Sequence, residues 1–106
     1  MKNSLKKFIA YCDSDNELAY YLRINAEWNE ESFIEFEKLV REVLDDYSQD
    51  SFYPKLFIFN FLISIEIILG IIDNPEYKHA WPEEYFGERI KKLKKLRQDF
   101  IMEAGK

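Results

Sequence analysis

The feature that most constrains this chain is its apolar run from Leu56 to Ile72, interrupted by Asn60, Ser64 and Glu66. Phe57, Phe59, Phe61, Ile63, Ile65 and Ile67 alternate with that partly polar set, which is the period-two signature of a strand. Asn60 and Ser64 also stand one helical turn apart, and Pro54 suits the first turn of a helix. The rest of the chain separates the two readings. A strand of this length needs a second strand beside it, and no other β-like run exists. The run is therefore expected to be a buried helix at the centre of an all-α fold. A bilayer span needs about 20 mostly apolar residues, and polar groups at its middle are costly. The run reads as core, and no membrane partner is expected. Glu66 is expected on a thin solvent-facing strip, or paired with a lysine of the last helix.

The other segments read as helices. Leu5, Phe8, Ile9 and Cys12 form one stripe. Asp13 or Asp15 is placed to cap a second helix carrying Leu18, Tyr21 and Leu22 and ending near Asn25. The third is the clearest. Phe33, Phe36, Val40, Val43, Leu44 and Tyr47 recur at spacings of three and four, Asn29 precedes them as a cap, and Glu30 and Glu31 suit the positive end of the dipole. Asp73-Asn74-Pro75 breaks the central helix, and an aromatic loop with Tyr77 and Trp81 comes next. Pro82-Glu83-Glu84 opens a last helix with the stripe Phe86, Ile90, Leu93, Leu96 or Arg97, Phe100 and Ile101. The expected architecture is a compact bundle of four to five helices around the buried central one. It forms a single domain over residues 1–106, because a chain this short builds only one core.

Charge narrows the partners. Residues 1–12 carry +3, 13–50 carry −9, 51–80 carry −1 and 81–106 carry +2, giving −5 overall. Phosphate contacts need a positive field, so nucleic acid is not expected, and the lysines of 91–97 read as a solvated helix face. At 100° per residue, Glu31, Glu35, Glu42, Asp45 and Asp46 fall opposite the apolar stripe of the third helix, with Lys38 and Arg41 between them. Such a face serves solubility or docks a basic protein.

Catalytic and cofactor chemistry finds little support. Glu76-x-x-His79 has the spacing of half a di-metal site, but the chain's only histidine cannot complete it. Cys12, the only cysteine, lies on an apolar stripe, where a core thiol is commoner than a nucleophile. Gly70, Gly87 and Gly105 form no phosphate-binding loop. Neither metal nor cofactor is expected, and no enzymatic activity. A lone cysteine forms no internal disulfide, and the apolar stretch behind Lys2, Lys6 and Lys7 is too short for a signal peptide. Both favour the cytoplasm.

In length, charge, compactness and missing active site the chain resembles bacterial immunity proteins, particularly helical ones that neutralise toxins delivered by contact-dependent inhibition. The resemblance implies an inhibitor that covers the active site of a basic, nuclease-like toxin. The acids of 27–50 would then mimic substrate phosphates, with Trp28, Tyr77 or Trp81 as aromatic anchors; Trp81 serves equally well as a core residue clamping the loop between Pro75 and Pro82. Two other classes stay open at this point: a structural or adaptor subunit completed by oligomerisation, and a small enzyme using His79 or Cys12. The oligomeric state is not legible in the sequence.

Overall fold

The computed structural model describes residues 1–77 and 79–104. Among them five helices occur in order: α1 (Asn3–Cys12), α2 (Leu18–Asn25), α3 (Glu30–Asp46), α4 (Lys55–Ile72) and α5 (Glu83–Ala104), with a 3-10 turn (Pro75–Tyr77) before the last. No strand occurs among the described residues, so the central run takes the helical period. α4 packs against α1, α2 and α5, while α3 packs against α1, α2 and α5. The thinnest dimension is 18 Å, enough for two helix layers.

Helix boundaries reflect local chemistry. Asn29 caps α3 as its side chain accepts from the Ser32 N–H (3.1 Å). The cap of α2 differs from the sequence expectation. Glu17, and neither Asp13 nor Asp15, accepts from the Ala19 and Tyr20 amides at 3.0 and 2.9 Å. Asp13 is already engaged in ending α1, where its amide bonds to the Ile9 carbonyl. α2 stops at Ala26, whose φ of 53° lies in the left-handed region.

The core is aromatic. Phe57 and Phe61, one turn apart on α4, stack with ring centroids at 5.5 Å. Phe8 of α1 meets Phe57 edge-on at 5.3 Å, Phe100 of α5 meets Phe61 at 5.3 Å, and Phe36 of α3 lies 6.2 Å from Phe61. Edge and offset ring contacts of this kind add about 1 kcal/mol beyond area burial. Tyr11 ties three elements together. Its hydroxyl accepts from the Leu18 amide (3.0 Å), donates to the Ser32 carbonyl (3.1 Å) and lies 2.8 Å from Ser32 Oγ.

α4 is apolar enough to span a bilayer by length and composition. Seven of its eighteen residues are nevertheless buried in the bundle. Glu66 lies exposed on its outer side and pairs with Arg97 of α5 at 3.1 Å, an arginine in place of the expected lysine.

Candidate partner-binding surfaces

α3 turns its apolar stripe inward, with Phe33, Phe36, Val40, Val43 and Leu44 all buried. Its opposite face is consequently forced outward. Glu31, Glu35, Asp45 and Asp46 are exposed there, with Lys38 among them, and Glu42 is half-buried at the edge. α1 lies along this edge and brings its bases with it. Lys7 Nζ stands 3.9 Å from Glu42, and Lys2 Nζ donates to the Asp46 carbonyl and to Asp50 Oδ1. Arg41 pairs with Asp99 of α5. Among the described residues, no base lies within ion-pair distance of Glu31, Glu35 or Asp45. Glu31 and Glu35 also border a shallow depression formed with Tyr11, Ser14, Asn16, Asn29 and Ser32.

The aromatic anchors divide. Trp28 and Trp81 are both half-buried and close on Phe86, edge-on at 5.1 and 5.3 Å. Trp28 also packs on Phe33, and its Nε1 donates to Glu30 (3.0 Å). Glu30 in turn accepts from Arg89 Nε (2.9 Å) and Nη2, and the guanidinium stacks over the Tyr85 ring at 3.6 Å. The Arg89 hydrogen bond holds the Glu30 carboxyl below the usual range, with Trp28 assisting. This cluster therefore joins the start of α3 to the start of α5. Tyr77 alone of the three is exposed. The structure brings Trp28 and Trp81 together around one phenylalanine but sets them apart from the acidic arc of α3, which belongs to the opposite side of that helix from Phe33.

Cys12 lies beside α2 with Glu17, Ala19 and Ser64 around a groove. Burial, then the Glu17 and Asp13 carboxylates, push its thiol up to about 12. A thiolate nucleophile needs the reverse surroundings. His79 is exposed in the loop before α5.

A surface absent from the sequence reading lies between α2 and α4. Tyr20, Phe59 and Ile63 are exposed there and, with Ile67, line the same groove as Cys12, while Leu56, three residues before Phe59 on α4, is exposed as well. The uniform apolarity of α4 was the available signal, since a helix apolar all round must be covered all round.

The molecule is thus an all-helical domain with one acidic and one apolar exposed face. No family model matches the chain, and no curated protein or solved structure matches it at a significant level.

Proposed function

We propose that this chain is a protein-binding module that neutralises a basic, nuclease-like toxin by stoichiometric binding, in the manner of a cytoplasmic immunity protein. The observation that carries the reading is the outer face of α3, where Glu31, Glu35 and Asp45 are exposed with no base at ion-pair distance among the described residues. Carboxylates left unneutralised on a rigid helix raise the local concentration of a cationic partner and fix its approach. Asp46 and Glu42 extend the face towards α1, weakened by Lys2 and Lys7. Tyr77 is the exposed aromatic anchor in this reading, while Trp28 and Trp81 contribute only their uncovered edges. The protein acts without turnover, so its effect saturates at a fixed ratio to the partner.

The test uses the protein encoded beside this chain, which this reading expects to be basic. Glu31→Lys, Glu35→Lys and Asp45→Lys combined are expected to slow association by roughly tenfold at low salt, with the loss shrinking as salt screens the field. Circular dichroism establishes that the triple variant remains folded. Association rates equal to the parent's at every ionic strength, or a neighbour harmless when expressed alone, would refute the proposal.

A further inference from the structure

The exposed arc of α4 carries Lys55, Leu56, Phe59, Ile63, Glu66 and Gly70, which fall within about 100° of one another and so share one side of the helix. Tyr20 of α2 continues the apolar part across the groove. Exposure reaches 64% for Phe59 and 44% for Ile63 and Leu56. Taking about 200 Å² per large apolar side chain, these four residues leave roughly 400 Å² of apolar surface in water. That area is comparable to the largest patch found on a monomer. It approaches the apolar share of a standard-size protein interface, about 57% of about 800 Å² per partner.

We infer that this face is covered by a second copy of the same chain, with the two α4 helices packed antiparallel across a twofold axis near Phe61. The argument is self-complementarity. Two copies of a helix related in this way bring residues of equal and opposite displacement from the axis together, on the same edge. Phe59 of each copy then falls beside Ile63 of the other, and Leu56 beside Ile67. Lys55 and Glu66 lie on the other edge, nearly equidistant from the axis, so each lysine meets the opposing glutamate, which holds Arg97 of its own chain at 3.1 Å and keeps its second oxygen outward for the lysine. A parallel pairing would set like residue beside like and lose both charge matches. A strongly basic or acidic foreign partner matches this rim poorly, because the rim holds Arg23 and Lys55 together with Glu66.

The acidic face of α3 points the other way, since Phe36 and Phe61 meet between the two helices. Dimerisation leaves two acidic faces outward, and the inference does not depend on what binds them.

Sedimentation equilibrium tests it. The mass is expected to rise with concentration from 12.8 kDa towards twice that value. Ile63→Lys is expected to hold the protein monomeric with unchanged helical circular dichroism, and to melt like the parent only at dilutions where the parent is itself monomeric, because the side chain it replaces is exposed in the single chain. Lys55→Glu is expected to weaken the dimer several-fold by opposing Glu66, and adding Glu66→Gln is expected to recover most of that loss. A chain monomeric at every concentration, a dimer indifferent to Ile63→Lys, or a Lys55→Glu defect that Glu66→Gln leaves untouched would each overturn the inference.

Discussion

Replacing Glu17 by alanine is the sharpest test of how this bundle is held together. Glu17 is a carboxylate buried to 6% exposure, with hydrogen-bond donors at both of its oxygens. Oε1 accepts from the Ala19 amide and from Ser64 Oγ at 3.2 Å, and Oε2 accepts from the Tyr20 amide. One side chain thus caps α2 and fastens it to α4. Loss of an N-cap costs about 0.5–2 kcal/mol. Ser64 is itself buried, and a hydroxyl left without its acceptor costs about 1–3 kcal/mol. The serine can turn back to a carbonyl one turn earlier on α4, which discounts the second figure. The groove beside Cys12 also admits water to the vacated space. The expected loss is about 2–3 kcal/mol, a large part of the stability of a domain this size. It corresponds to a fall in Tm of roughly 10 °C. Glu17→Gln keeps one acceptor but turns an N–H₂ towards an amide donor, so it falls about halfway. Urea unfolding monitored by helical circular dichroism measures each variant, and a double-mutant cycle with Ser64→Ala isolates the bond between the helices. A loss below about 0.5 kcal/mol, or no coupling between Glu17 and Ser64, would refute the reasoning.

Protonation supplies two further tests. With its thiol pushed up to about 12 by burial and nearby carboxylates, Cys12 is expected to react with a thiol reagent at neutral to mildly alkaline pH on the order of 100-fold more slowly than in urea-unfolded protein; native and unfolded rates within threefold would contradict this. Glu30 is held below its ordinary range by Arg89, so the stability it contributes is present above an unfolded value of about 4.3 and is lost as pH falls through the lower folded value. Glu30→Gln is expected to flatten the acid limb of a stability–pH profile, leaving the part due to Asp99, whose carboxyl Lys95 and Arg41 likewise hold low; parallel profiles would show that the pair contributes nothing.

The sequence alone determined which segments are helical and, for the helices other than α4, most of the stripe that faces inward; Ile101, which the period adds to the stripe of α5, is exposed, because no other helix reaches the end of α5 on that side. Phe33 to Tyr47 recur at a helical period, Asn29 can cap only the helix that begins after it, and Pro82 cannot sit inside a helix. These are local constraints, and every one is satisfied within a few residues. The absence of a partner strand decided α4 in the same way, by exclusion. The acidic arc of α3 was legible too, because the face opposite an apolar stripe is set by geometry. Neighbours across the bundle were beyond reach. Asp13 and Asp15 looked like caps for α2, but Asp13 ends α1, and Glu17 takes the cap because Ser64 comes close enough to share it. Trp28 read as a free anchor, and Trp81 as either an anchor or a clamp on its loop, until α3 and α5 closed around Phe86. The open side of α4 was equally hidden, since its residues are as apolar as the buried ones. Five helices of these lengths cover only part of it. Periodicity tells a helix which of its faces is apolar; how much of that face finds cover depends on how many other helices reach it, and that is a property of the packed bundle.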